Sequence, residues 1–427
     1  MSMADRLAVG IDIGTSGVRV AALDWVGDVV AQSAVATPAP DRVGGSITQD
    51  ATVWWRGVEA ALRDLRTCID FARVGAVAVD GTSGTQVAID AAGRPLAPAR
   101  LYNDPCRYQF AGMISQHAPV ESAAHGASSA LGRALEMQAL RPHRILHQAD
   151  WIAGHLSGRF DVSDENNALK TGYDPVARAW PGWIAATGMD VRMLPDVVAA
   201  GAVTGQCTTA AAQALGLPSN ALMVAGTTDG CAAFLATGAD KPGDGVTSLG
   251  STLVLKLLSN TPMFAPQFGI YSHRIGHVWL VGGASNTGGT ALLQHFTAAQ
   301  MKALEPRLIA ERELSLGYYP LPGIGERFPI NDPALVTRVT PRPGDDAEFL
   351  QGLLEGIAAV EALGYQRLAE IGGPKLISLR AVGGGAANAA WTQIRQRKLC
   401  VPFLRARSDA AAAGVARLAL KAMTGAA

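Results

Sequence analysis

Three aspartates follow apolar, strand-like runs and lie beside glycine: Asp12 in Ala8–Val20, Asp80 in Val74–Thr85 and Asp229 in Leu222–Gly230. A carboxylate delivered by a buried strand into a glycine turn sits with open backbone N–H groups around it. That combination suits a triphosphate with Mg²⁺. Phosphoryl transfer asks little covalent chemistry of a protein. It needs in-line positioning, neutralised charge and a destination for the proton of the acceptor hydroxyl. Asp229 is the expected general base, because its small neighbours leave a hydroxyl room to approach. The same position also suits a helix N-cap. Asp12 is the expected metal-facing carboxylate, reaching Mg²⁺ through water, and in an ordinary hairpin it would close an Asx turn. Asp80 is left open between a structural and a chemical part.

Phosphate contacts are expected at two similar turns. Gly14-Thr15-Ser16-Gly17-Val18 and Gly250-Ser251-Thr252-Leu253-Val254 agree in residue class at most positions, and each is flanked by strands. Either alone is a common turn composition. Two copies far apart suggest two related halves, with Thr15, Ser16, Gly250, Ser251 and Thr252 offering hydroxyls and amides to phosphate oxygens. Gly383-Gly384-Gly385 at a strand-to-helix junction would let a flat base or ribose approach the backbone, with Gly384 and Gly385 in contact and Asn388 adding a hydrogen bond. Ser83, in Gly81–Thr85, is a candidate sugar contact.

The surrounding pattern alternates strands and helices. Residues 7–36 read as three strands in a meander, 50–66 as a helix, 145–156 as a helix and 208–215 as a helix stopped by Gly216. A short strand over 222–225 runs into a turn holding Asp229. The clearest helix is 345–371, whose Gly356 and Gly364 mark close packing or a break. Ser408-Asp409 is expected to cap a final Ala-rich helix. The class is α/β, with ligands at the carboxyl ends of strands.

The 427 residues are too many for one core. Thirty-six basic residues balance thirty-six acidic ones, so no surplus field draws nucleic acid or an anionic membrane. Five scattered cysteines without a CxxC fit a reducing cytoplasm. No secretory leader or membrane span is expected. Neither GxxxxGK[ST], GxGxxG nor GxSxG occurs. The pairs His143/His147 and His273/His277 lack the companions of a zinc site and read as surface or hydrogen-bonded histidines.

Taken in order, Gly10–Val20, Val79–Thr85, Tyr102–Asp104, Asn167–Asp174, Ala225–Gly230, Val246–Leu258, Gly282–Gly289, Gly352–Ile357, Val382–Asn388 and Asp409–Ala419 resemble the FGGY carbohydrate kinases. These belong to the actin/hexokinase/Hsp70-like superfamily. The resemblance implies two actin-like (ribonuclease H-like) ATPase domains flanking a deep cleft. Residues 1–236 with about 409–427 would form the sugar-binding domain, and 237–408 the ATP-binding one. It implies ATP and Mg²⁺ as cofactors, Asp229 as base, Asp12 as metal-associated carboxylate, and Asp12, Ser83 and Asp229 as substrate contacts. The nearest similarity is to the short pentulose kinase subgroup, D-ribulose or D-xylulose kinase-like. There Gly81-Thr82-Ser83 stands where typical xylulokinases carry Met-His. The first family signature is poorly matched near Ser128–Arg133. The expected activity is phosphorylation of a ketopentose, D-ribulose at O5, in a cytoplasmic monomer or homodimer. D-xylulose or polyol kinases are the alternatives. A different class is an actin-like nucleotide-switched binding protein without sugar turnover.

Overall fold

A computed structural model describes residues 3–425. By contact the chain divides into two units. One comprises Met1–Ala236, His273–His277 and Ala410–Ala427; the other comprises Thr237–Ser272 and Val278–Asp409.

The first unit is built on a sheet of β1 (Leu7–Gly14), β2 (Gly17–Leu23), β3 (Val29–Ala36), β4 (Val74–Gly81), β5 (Val203–Gln206) and β6 (Leu222–Thr228), in the order β5-β6-β4-β1-β2-β3. β1 and β2 are joined by the two-residue turn Thr15-Ser16, which pairs Gly14 with Gly17. β4 runs parallel to both β1 and β6. β1 and β4 read as nearly continuous apolar runs because both faces are covered. On one face lies the helix Thr52–Arg66, which buries Trp54, Val58, Ala61, Leu62 and Leu65. On the other lies Ala411–Thr424, whose Val415, Leu418 and Ala419 pack on Ala8, Ala76 and Ala78.

The fit of that last helix depends on missing side chains. A Cβ on Gly10 would stand 2.0 Å from the carbonyl oxygen of Ala412, and one on Gly414 would stand 1.7 Å from that of Ala232. Ser408-Asp409 does not cap this helix. Its N-cap is Ala410, which makes no side-chain capping bond.

The second unit repeats the arrangement with β7 (Asp244–Leu249), β8 (Leu253–Ser259), β9 (Val278–Ser285) and β10 (Ser378–Val382). β7 pairs antiparallel with β8 and β8 with β9, while β10 lies parallel to β7. Thus β7–β8–β9 reproduces β1–β2–β3, and β10 takes the place of β4. The helix Asp346–Glu370 covers this sheet, N-capped by the Asp345 side chain. Gly356 and Gly364 mark close packing and no break. Their absent side chains admit Tyr318 at one and Leu255 with Phe328 at the other.

Two further expectations are corrected. Residues 145–156 are not one helix: Arg144–His147 is a strand and Gln148–Ser157 the helix. The backbone of His147 is extended, and its N–H donates to Asp150 Oδ2 at 3.1 Å, closing a capping box that starts the helix there. The strand read as 222–225 continues to Thr228, and Asp229 opens the helix Asp229–Ala236 instead of lying in a turn. The strand extends because its register slips between Val224 and Thr227. Gly226 allows this: a Cβ there would meet the Val79 carbonyl oxygen at 1.7 Å.

Candidate functional site

The strand register fixes the chemistry-bearing side chains. Counting outward from the Thr15-Ser16 turn, Asp12 faces Arg19. On the parallel neighbour Asp12 faces Asp80, and Asp80 in turn faces Thr227. Arg19, Asp12, Asp80 and Thr227 therefore form one row across four strands, on one face of the sheet. Two residues beyond Thr227, Asp229 begins its helix, where the N-terminal end of the helix dipole favours negative charge. Its Oδ1 accepts from Gly230 N at 2.6 Å.

The row is electrostatically crowded. Arg19 Nη1 lies 3.2 Å from Asp12 Oδ2 and is the partner that balances that carboxylate. Asp80 is wholly buried, and no donor among the described residues reaches either of its oxygens. Burial, then the carboxylate of Asp12, then that of Asp229 hold its pKa well above the ordinary carboxylate value. An uncompensated buried charge costs several kcal/mol, roughly, so burial disfavours the charged form of Asp80.

A pocket of about 410 Å³ opens on this row, lined by Asp12, Thr15, Ser16, Arg19, Tyr102 and Asp229, with Thr82 at its wall. The structure thus brings Asp12, Asp229, Thr15 and Ser16 to one cavity. Ser83 does not line it, but follows Thr82 directly. Ser83 Oγ is buried and has no hydrogen-bond partner among the described residues. Its loop is fixed from behind: Gln148 Oε1 accepts from Thr82 N at 3.0 Å and from Thr82 Oγ1 at 2.8 Å. The Arg133 guanidinium donates to the carbonyl of Gly84.

Among the described residues no three His, Cys, Asp or Glu side chains form a metal cage. Mg²⁺ does not ask for one, since it keeps most of its water and accepts one or two carboxylates with substrate phosphates. The hard oxygen donors of Asp12 and the neighbouring Thr15 fit such an ion in kind.

In the second unit Gly250-Ser251-Thr252 forms the β7–β8 turn. It is clasped by the segment 287–290: Gly289 N donates to Gly250 O at 2.9 Å, Thr290 N to Ser251 O at 3.0 Å, and Leu253 N to Thr287 O at 2.8 Å. Gly384 and Gly385 lie in the 3₁₀ turn Gly384–Ala387, and Asn388 Oδ1 caps the next helix by accepting from Trp391 N at 2.7 Å. A hollow of about 550 Å³ beside this turn is lined by Gly383, Ala386, Thr392, Arg405 and Arg407, among others, and not by Gly384, Gly385 or Asn388.

Sequence reasoning missed the roles of Arg19, Gln148 and Arg133. Arg19 was legible: a two-residue turn fixes the register, and the register sets Arg19 opposite Asp12. Gln148 and Arg133 carry no local signal, because their partners lie 66 and 49 residues away.

Comparison with known proteins places the chain. A family model for the N-terminal domain of the FGGY family of carbohydrate kinases matches residues 7–125 and 135–236, and one for the C-terminal domain matches 245–423. The xylulose kinase of Escherichia coli K12 is 26% identical over 412 residues, covering 90% of this chain and 83% of that protein. The xylulose kinase of Klebsiella pneumoniae is 26% identical over 420 residues, with the same two shares. Among solved structures, a xyloylose kinase from Brucella ovis superposes with a TM-score of 0.89 at 24% identity, covering 99% of this chain and 91% of that one. The xylulose kinase of Rhodospirillum rubrum gives 0.84 at 23% identity, covering 97% and 90%. The two units therefore have the actin-like ATPase fold, and the repeated strand order within them is its signature. No helix of the described residues is long and apolar enough to cross a membrane. The chain belongs to the FGGY family of carbohydrate kinases and is a phosphotransferase acting on a sugar hydroxyl.

Proposed function

We propose that the protein is an ATP-dependent ketopentose kinase that phosphorylates D-ribulose on its terminal hydroxyl to give D-ribulose 5-phosphate. The observation that carries this reading is the convergence of Asp12 and Asp229 on one pocket, beside a loop whose Ser83 hydroxyl is buried and has no partner among the described residues. An unpaired buried hydroxyl is costly unless a ligand completes it. ATP with Mg²⁺ would supply the γ-phosphoryl group and neutralise the charge that spreads over it. The Asp229 carboxylate accepts the proton of the O5 hydroxyl as that oxygen bonds to phosphorus and ADP departs. Asp12 stands as the metal-facing carboxylate, with Arg19 holding its other side. Burial beside Asp12 and Asp229 disfavours a further charge on Asp80.

Thr15 and Ser16 in the first unit, and Gly250, Ser251 and Thr252 in the second, offer N–H and hydroxyl donors to phosphate oxygens. Gly384, Gly385 and Asn388 are the proposed contacts to the nucleoside. In this reading the first unit carries the sugar and the second the nucleotide, in a cytoplasmic monomer or homodimer. The unit boundary that favours this division places Ala410–Ala427 with the first unit.

Ribulose rests on Gly81-Thr82-Ser83 and its unpaired hydroxyl. D-xylulose is the second reading, favoured by the names of the relatives above. ADP release measured over D-ribulose, D-xylulose, ribitol, glycerol and sedoheptulose separates them. D-ribulose should give the highest kcat/KM. A preference for D-xylulose would move the assignment to the second reading. Sugar-independent ATP binding with no turnover of any acceptor would favour a nucleotide-switched binding protein.

A further inference from the structure

The segment 285–290, where β9 ends, is gripped on two sides. Toward the turn Gly250–Thr252 the grip is backbone on backbone. Thr287 O accepts from Leu253 N, Gly289 N donates to Gly250 O, and Thr290 N donates to Ser251 O. Between them Gly288 lies flat on the turn: a Cβ there would stand 2.7 Å from the carbonyl carbon of Thr252. Its φ of 136° is one that glycine adopts readily.

On the other side the segment is held by one carboxylate. Glu326 is 2% exposed, and among the described residues no cation pairs with it. Four donors satisfy it instead. Its Oε1 accepts from Asn286 N at 2.7 Å and from Arg327 N at 3.0 Å. Its Oε2 accepts from the Ser285 hydroxyl and from Tyr319 OH at 2.9 Å. Burial, and then this carboxylate, raise the pKa of Tyr319, so the phenol stays a donor. Glu326 is itself anchored, since its N–H donates to Asp332 O at 2.7 Å and its carbonyl accepts from Asp332 N at 2.8 Å. Two bonds run beside it: Asn286 Nδ2 donates to Gly325 O at 2.8 Å, and Thr287 Oγ1 donates to Pro320 O at 2.6 Å. A buried carboxylate without a cation is costly to keep. This one directs its bonds at residues 285 and 286, at the root of the segment that clasps the turn.

We propose that Glu326 is a positioning residue for the nucleotide. By fixing residues 285–287 it sets where 287–290 meets Gly250–Thr252, and so the direction of the N–H and hydroxyl groups that this turn presents to the phosphates of ATP. It touches no ligand itself. The inference rests on the reading above, which assigns this turn to phosphate, and deepens it. The ketose contacts of that reading lie in the other unit, so the loss of Glu326 acts on ATP and spares the sugar.

The test is the KM for ATP and for D-ribulose, with the melting temperature, in the wild type and in Glu326→Ala, Glu326→Gln, Tyr319→Phe and Gly250→Ala. Glu326→Ala should raise the ATP KM tenfold or more and leave the ribulose KM within twofold. Glu326→Gln should recover part of that rise, because its amide oxygen still accepts from Asn286 N and Arg327 N. Tyr319→Phe removes one donor of the four and should raise the ATP KM less than Glu326→Ala does. Should Glu326→Ala not fold, the volume-conserving Glu326→Gln decides, with a threefold or larger rise in ATP KM alone. A Glu326 variant with wild-type ATP KM, where Gly250→Ala raises it, overturns this proposal and leaves the phosphate-turn reading standing. Wild-type ATP KM in both overturns that reading, and the proposal falls with it. Equal rises in both KM values together with a lowered melting temperature mark a structural part only and also overturn it.

Discussion

Asp80 lies in register with Asp12 on the neighbouring parallel strand, wholly buried, and no donor among the described residues reaches its carboxyl. Burial and the neighbouring carboxylates favour the protonated form of the deeper member, Asp80. The pKa of Asp80 is raised on folding, chiefly by burial and then by Asp12. The sign follows: the folded chain binds a proton that the unfolded chain has lost, so this group costs stability as pH rises from the ordinary carboxylate value toward its folded value. Asp80→Asn places a neutral donor in the same space. The stability of that variant relative to wild type should grow with pH, by at most about 1.4 kcal/mol per pH unit. Urea unfolding of both proteins at several pH values from 5 to 8 measures this. Parallel pH curves would show that Asp80 is ionised in the folded protein.

Much of this site could be read in the chain before any coordinates. The Asp12 turn, its second copy at Gly250 and the strand ending before Asp229 are local features, since a glycine turn and the apolar runs beside it lie within about a dozen residues. Positions that depend on tertiary pairing could not be read so. Apolar spacing over 145–156 imitates one helix until the capping bond of Asp150 to His147 divides it. Leu222–Thr228 appears shorter in sequence because Gly226 looks like a stop. It is the residue that lets the strand slip register past Val79 and continue. The buried partner of Asp12 is visible only once β1 and β4 are known to be neighbours.

Gly226 makes a sharp case for backbone packing. Gly226→Ala forces a methyl against the Val79 carbonyl, at a nominal 1.7 Å. Overpacking of this kind costs about 1–3 kcal/mol and more where backbone must move, so a loss of about 3 kcal/mol or more is expected. At Gly250 the nearest atom to a new Cβ is Thr252 O at 3.9 Å, ordinary contact. Gly250→Ala should leave stability within about 1 kcal/mol. Thermal unfolding of both variants is the check, and equal losses would contradict the packing argument.

Glu361 and Arg395 form a fully buried bidentate pair, with contacts of 2.6 and 2.7 Å. Thr247 Oγ1 donates to Glu361 at 2.5 Å, which ties the pair to β7 just before the Gly250 turn. Removing one partner strands a buried charge, and Arg395→Met should destabilise by about 3–5 kcal/mol. Adding Glu361→Leu to it should restore most of that loss, because no buried charge is then left unpaired and Thr247 Oγ1 keeps its contact with Tyr365 OH at 3.0 Å. Denaturant titration of the single and double variants decides it. A double variant no more stable than Arg395→Met would refute the account.

The most direct measurement for the whole scheme is sugar-dependent ADP formation by Asp229→Asn, alongside its affinity for ATP. With Asp229 as the proton acceptor, turnover should fall by a factor of about 10² to 10⁴, while ATP binding and the melting temperature stay close to wild type. A variant that phosphorylates the ketose at the wild-type rate would remove Asp229 from the reaction.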